Sequence, residues 1–474
     1  MCISKRWKKL EVQTSSYLQP YHNSTGATGI FGIVNEVASH IRSLNCILKM
    51  SIDDFKFNDI LPLPFRILFF IQLGIHLWYA LVWYCYRIHG INVLALINLS
   101  YSPHKYSGGS YIDESKYGEF ATSTPADVTE NQLLLNGIKN NIKVTLLPNL
   151  SGLLVYWVSA LFLDNDSKIF WILRSVSPTI LMLHTAYRFF LQKGSVGAVR
   201  IHTTMRRILV GDINSSTMRT NDILLSDSMI SYGRVINDWS MFVWKTYIPT
   251  ESNYNAGFET AVLSIPAIIR MKQCWFEFQS TKQRQHLFNF FKYFISLGPI
   301  VVNFLIKHKM THLTENEDVS AQLNTLNFWW YMSSTVSASF SFFWDIKMDW
   351  GFNVFDIILH RKGSRWIILR EPNKLVYNNF IAYYGIVVLD FILRFIWILK
   401  LFVIKETEVR LGLKNKVGNF LFGLDFLSLG FATLELLEII RRWLWCFLKI
   451  ESDLVKLQYG DNKNAIPLTT IKIG

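Results

Sequence analysis

Charge is what this 474-residue sequence has little of: 18% of its residues are Asp, Glu, Lys or Arg, against about 25% in an ordinary globular chain. That deficit excludes a disordered regulator, whose chain stays unfolded through high charge and low hydrophobicity. Cysteine is sparse and scattered. Cys2, Cys46, Cys85, Cys274 and Cys446 have neither the density of a disulfide framework nor the spacing of a metal site. There is no nucleotide-binding glycine loop, which speaks against ATP-driven pumping. Nor is there a G-x-S-x-G elbow, although a Ser, His, Asp set assembled from distant positions stays open. No internal repeat of about 20 to 50 residues is present.

What the chain has in quantity is apolar and aromatic surface. Half of its residues are hydrophobic and 15% aromatic, with 35 Phe and 16 Trp, and the mean hydropathy is +0.22. The net charge of +13 accompanies apolar runs rather than a polar basic face, which points to a membrane and away from nucleic acid. A helix crosses the hydrocarbon core with about 20 mostly apolar residues. Nine runs approach that length: 67–86, 146–163, 169–191, 223–244, 258–278, 287–306, 326–344, 380–404 and 417–448. The expected fold is an all-α polytopic membrane protein, a bundle of about nine transmembrane helices. Its expected divisions are a polar N-terminal region at 1–60, N-terminal membrane helices at 61–220 with a polar loop at 101–142, a C-terminal core at 221–453 and a tail at 454–474.

Loop charge orients such a bundle, because short cytoplasmic loops carry the excess of Lys and Arg. The loop 192–222 holds Lys193, Arg200, Arg206, Arg207 and Arg219, and the loop 352–379 holds Arg361, Lys362, Arg365, Arg370 and Lys374. With both in the cytosol, nine spans put the C-terminus there and the N-terminus across the membrane.

Ionisable residues inside the runs are the informative ones, since a charge at the bilayer centre is costly and faces a bundle interior or an aqueous pathway. The run SFFWDIKMDWGF places Asp345 and Asp349 four residues apart, on one face of a regular helix. LDFILRFIW carries Arg394, with Trp397 three residues on. LLEIIRRWLWCFLKIE sets Glu438 against Arg441 and Arg442 at i+3 and i+4, and Arg270, Lys292 and Tyr293 lie upstream. Plainer explanations exist for single residues: a cytosolic helix end for Arg441 and Arg442, a snorkelling stem for Lys292. They do not explain the set. Arginine forks bind phosphate or carboxylate oxygens bidentately, and interleaved carboxylates keep an anion from binding too tightly to leave, so the pattern suggests an oxyanion pathway. Metal chemistry at Asp345 and Asp349 lacks a supporting His or third carboxylate.

The blocks RMKQCWFEFQSTKQRQHLFNFFKY, FFWDIKMDWGF, LDFILRFIW and LLEIIRRWLWCFLKIES resemble, in order and spacing, successive signatures of the EXS domain. That domain is the membrane core of eukaryotic phosphate exporters. The resemblance implies a phosphate path lined by Arg270, Lys292, Tyr293, Arg394, Arg441 and Arg442, with Asp227, Asp345, Asp349 and Glu438 as acidic partners and Trp397 as a gate. The block around Glu277 and Gln279 departs from the family, which has arginines there. The first 60 residues do not resemble the SPX sensor that opens larger members, so the chain is most similar to the SPX-less fungal ER-retention-defective group of Golgi membrane proteins. The resemblance thus implies a multi-pass Golgi protein, not an enzyme and without cofactor or metal, that returns inorganic phosphate from the lumen to the cytosol in support of glycosylation and retention of lumenal ER proteins. It is compatible with a homodimer. The alternative expectation is a sorting protein that retains Golgi glycosyltransferases through cytosolic coat adaptors and transports nothing.

Overall fold

The computed structural model describes residues 57–91, 93, 125–163, 167–192, 198–213, 219–248, 255–311, 318–355, 369–370, 375–377, 379–403, 413–422 and 427–459. The N-terminal region to residue 56, the part of the expected loop at 101–124 and the tail from 460 lie outside them. So do Lys193, Arg361, Lys362, Arg365 and Lys374 of the orienting loops. Among the described residues the regular structure is helical, with no strand.

Helix α1 (Leu63–His89) carries Pro64 in its first turn, where proline costs no hydrogen bond and presets the backbone for a helix. Helix α2 (Pro125–Phe162) runs for 38 residues, about 57 Å at 1.5 Å per residue. That exceeds a bilayer core of about 30 Å. Only Leu135–Phe162 has the composition of a span. Residues 125–142, expected as the end of a polar loop, are therefore the first turns of a helix whose apolar part begins later. Helix α3 (Lys168–Phe189) follows, and α4 (Ala198–Val210) occupies part of the expected basic loop. Its Arg207 holds Asp222 at 2.5 Å.

The C-terminal half comprises α5 (Arg219–Ser231), α6 (Gly233–Tyr247), α7 (Ala256–Thr281), α8 (Arg284–Thr311), α9 (Asp318–Trp344), α10 (Phe380–Arg394), α11 (Leu413–Phe422) and α12 (Leu429–Tyr459). Helices α7, α8 and α9 pack side by side in order. Helix α12 is the axis, touching α1, α5, α10 and α11. Around it lies the largest apolar core, with Trp350, Phe352, Tyr383, Trp445, Leu448 and Ile450 buried together. Gly418 admits the close approach of α11 to the preceding turn, since a Cβ there would sit 2.7 Å from the Leu399 carbonyl.

Four of these helices are long and apolar enough to cross a membrane by length and composition: Leu63–His89, Leu135–Phe162, Lys168–Phe189 and Arg284–Met310. The other expected runs are discontinuous or more polar. The run 223–244 divides at Tyr232 into α5 and α6, 380–404 stays α-helical only to Arg394 before a 3-10 turn (Ile396–Phe402), and 417–448 splits into α11 and α12. Hydropathy averages across such breaks and cannot see them. The run 417–448 includes Gly423, Asp425, Ser428 and Gly430, residues that favour turns over helix interiors.

The polarity of the fold is inverted. Helix α2 exposes Leu147 (72%), Leu154 (58%) and Phe162 (80%), while Arg66, Asp227, Arg270, Lys292, Asp345, Asp390, Glu435 and Arg441 are buried. Such apolar exposure is untenable in water and ordinary against lipid, where backbone groups are already satisfied within helices. Inside, polar side chains clasp neighbouring helices: Asn149 of α2 donates to Gln72 of α1 at 3.1 Å and to Thr185 of α3 at 3.4 Å.

Candidate functional site

A cavity of about 390 Å³ opens among α5, α6, α8, α9, α10 and α12 and the 3-10 turn after α10. Helix α12 lays Glu438, Arg441 and Arg442 along one side through their i, i+3, i+4 spacing. Arg441 grips Glu438 with both arms of its fork, Nη2 to Oε1 at 2.6 Å and Nε to Oε2 at 2.9 Å. Its remaining nitrogen, Nη1, donates to Asp390 Oδ1 at 2.9 Å. Asp390 also accepts from Arg394 Nε at 3.0 Å, and Arg394 Nη2 donates to Asp345. Two carboxylates, Asp390 and Asp345, thus hold both arginines at fixed angles.

The opposite wall comes from α5 and α8. Ser231 donates to Glu438 at 2.6 Å and accepts from Arg442 Nε at 3.1 Å. Behind it, Asp227 accepts from Tyr293 Oη at 2.8 Å, pairs with Arg270 at 2.7 Å and meets Arg442 at 3.4 Å. Lys292 is different. Its ammonium lies 4.5 Å from the Tyr293 ring centre and 5.5 Å from that of Trp344, and no carboxylate among the described residues comes within ion-pair distance. Aromatic faces attract a cation by about 0.5 to 2 kcal/mol, much less than desolvating an ammonium costs.

Of the residues expected at the site, Lys292, Tyr293, Asp345, Arg394, Trp397, Glu438, Arg441 and Arg442 line the cavity. Asp227 and Arg270 do not. They stand behind Tyr293 and hold its hydroxyl, Arg270 Nε donating to it at 3.1 Å. Trp397 closes the wall in an aromatic cluster with Trp330 and Tyr331, ring centres 5.9 and 6.2 Å away. Asp349 departs from expectation. It does not share Asp345's surroundings but faces Lys449 at 3.7 Å, which also binds Asp453 at 3.0 Å. The cause is local: α9 passes into a π-helical turn (Asp345–Asp349), where Trp350 N donates to Asp345 O. That widened turn abolishes the i, i+4 stacking of a regular helix, and Gly351, at φ +67, ends it in a left-handed conformation that favours glycine.

Sequence reasoning missed Asp390, the shared partner of Arg394 and Arg441, although its position four residues before Arg394 is itself a pairing signal. It also missed Ser231, Arg234 and the serine row Ser334, Ser337, Ser341, whose spacing of three and four marks one helix face. At the outlying block, Glu277 is engaged by Arg219 at 2.5 Å and His286 at 3.2 Å.

Chemically the cavity offers guanidinium forks, an ammonium and hydroxyls, five cationic side chains against two carboxylates along its lining. These groups match an oxyanion. Fold and site together define a multi-pass helical membrane protein with a cation-rich cavity between its helices. The chain belongs to the EXS family, whose pattern matches residues 61–455 and so takes in α1 to α3 as well as the C-terminal helices. It is similar to Protein ERD1 of Kluyveromyces lactis, 27% identical over 63% of this chain and 74% of that protein. Protein ERD1 of Saccharomyces cerevisiae is 22% identical over 52% of this chain and 59% of its own length. Solute carrier family 53 member 1 of Mus musculus is 27% identical over 42% of this chain and 25% of its own length.

Proposed function

We propose that the protein moves inorganic phosphate across the membrane through this cavity, from the Golgi lumen to the cytosol, as a transporter and not an enzyme. The observation that carries the reading is the buried ammonium of Lys292, which faces the cavity beside Arg394, Arg441 and Arg442 with no carboxylate in ion-pair contact among the described residues, Asp349 and Asp227 acting on it only from further off. A phosphate ion supplies the missing negative charge, and its oxygens match the arginine forks and the serine hydroxyls. Asp345, Asp390 and Glu438 occupy part of each arginine's hydrogen-bonding capacity, so the anion is held loosely enough to move on. The resemblance to phosphate exporters supports the choice of anion, the resemblance to the SPX-less fungal group supports the Golgi setting and a role in glycosylation and lumenal ER-protein retention, and the basic loops support a cytosolic C-terminus.

Purified protein in liposomes tests this directly: phosphate flux above that of empty liposomes is expected, with loss in Lys292→Ala. Flux equal to empty liposomes sinks it. In cells, the sorting alternative wins if neutral cavity variants keep glycosylation normal while truncation after Tyr459 abolishes it.

A further inference from the structure

A second buried ionic cluster lies outside the cavity. Arg66 of α1 sits between two carboxyl groups, its Nη2 2.7 Å from Asp238 of α6 and its Nε 3.3 Å from Glu435 of α12. The three side chains are only 2%, 9% and 1% exposed, and they are embedded among Ile67, Val235 and Ile439, with Leu63, Phe70 and Met182 around them. The two carboxyl groups lie within side-chain hydrogen-bonding reach of each other, and no N–H or hydroxyl donor hydrogen-bonds Glu435 among the described residues.

With both acids ionised, the one guanidinium in ion-pair contact faces two carboxylates, and the second negative charge is left in an apolar setting with only Arg234, further off, to offset it. Removing an uncompensated charge from water costs several kcal/mol even after relaxation. One proton shared by Asp238 and Glu435 removes that cost. The other charged group that reaches the pair is Arg234, on α6, which acts on both acids and lines the phosphate cavity. A phosphate bound there offsets the field of Arg234 and adds negative charge of its own. Each effect favours a proton on the Asp238–Glu435 pair, and by linkage the proton favours the anion equally.

We propose that Asp238 and Glu435 form a proton-binding site and that its proton is co-transported with the anion, making the protein a proton–phosphate symporter. The inference rests on the phosphate reading above and deepens it. The pair takes up a proton from the compartment that supplies phosphate and gives it up, regenerating the carboxylate, to the compartment that receives it.

The test uses the full-length protein in liposomes with the membrane potential clamped, a trapped pH-sensitive dye and radiolabelled phosphate. A pH difference of one unit is a tenfold proton gradient. At one coupled proton per phosphate it sustains up to about tenfold accumulation of phosphate on the alkaline side, accompanied by more acidification than phosphate ionisation alone delivers. In Glu435→Gln and Asp238→Asn the accumulation ratio falls to about one above the ionisation baseline. Wild-type flux that equilibrates phosphate and ignores the pH gradient overturns the proton site and leaves the phosphate reading standing. A proton-to-phosphate ratio in Glu435→Gln equal to that of the wild type does the same. Should neither variant move phosphate at all, the wild-type ratio decides: at the ionisation baseline the proposal fails, above it the proposal holds. Absence of wild-type flux under every gradient removes the transport reading itself and this one with it.

Discussion

Helices α2 and α3 and the bundle of α5 to α12 bury opposite kinds of surface. The first pair shows leucines and aromatics outward and joins itself to α1 with neutral amide and hydroxyl contacts. The second buries arginines and carboxylates around a cavity. Both of the first pair contain spans that length and composition pick out, whereas in the second bundle only α8 does. Apart from α8, which carries Lys292, the cavity charges lie on helices that do not qualify as spans: α5, α6 and α10 have 13, 15 and 15 residues and are too short, and α12 is long but too polar. In a membrane protein a span that looks too polar is therefore a better guide to the working site than one that looks right.

The contrast breaks most visibly at the charged end. Arg441→Ala leaves Glu438 and Asp390 without their shared cation, and losing one partner of a buried pair costs about 3–5 kcal/mol. Phosphate flux in liposomes is expected to fall by about 100-fold or more, with a lower melting temperature of the purified protein. A variant that folds and transports as the wild type does removes Arg441 from the pathway. Asp390→Asn ranks next. It keeps size and one hydrogen bond but makes the cavity more cationic, so phosphate is expected to bind more tightly and leave more slowly. The half-saturating concentration and the maximal flux should both fall, the latter by about tenfold. A rise in the half-saturating concentration would mean instead that Asp390 acts only by aiming Arg394 and Arg441.

Much of the cavity was legible in the sequence because α12 is a regular helix: Glu438, Arg441 and Arg442 keep their i, i+3, i+4 geometry in the fold. Lys292, Arg394 and Trp397 stood out by being polar or aromatic in apolar runs, and they too line the site. What could not be read was anything set by a departure from regularity. The π-helical turn separates Asp349 from Asp345, and the breaks at Tyr232 and after Arg394 interrupt runs that looked continuous. Asp390 was half hidden: its place four residues before Arg394 announces that pair, but its bond to Arg441 of α12, fifty-one residues away, has no local signal.

Asp349 measures how much that irregularity matters. Paired with Lys449 rather than with the cavity arginines, it is expected to tolerate Asp349→Asn with flux reduced by no more than about threefold, since the amide keeps a hydrogen-bonding group and Asp453 still holds Lys449 at 3.0 Å. A loss as large as that of Arg441→Ala would show that phosphate passes Lys449 as well, and the pathway would extend along α12 beyond the cavity.

The smallest effect is expected on the face of α2, and it sharpens what that face touches. Leu154 is 58% exposed. If lipid covers it, Leu154→Ala replaces one apolar surface by another against the same solvent, and the change in stability should stay within about 0.5 kcal/mol, with flux unchanged. If a second copy of the chain covers it, truncation removes packed atoms from an interface, and the oligomer dissociates at lower detergent concentration. Measuring the oligomeric state of the wild type and Leu154→Ala side by side therefore separates a lipid-facing scaffold from a dimer contact. A shift in that state would turn the apolar half of the molecule from a passive surround into an assembly surface.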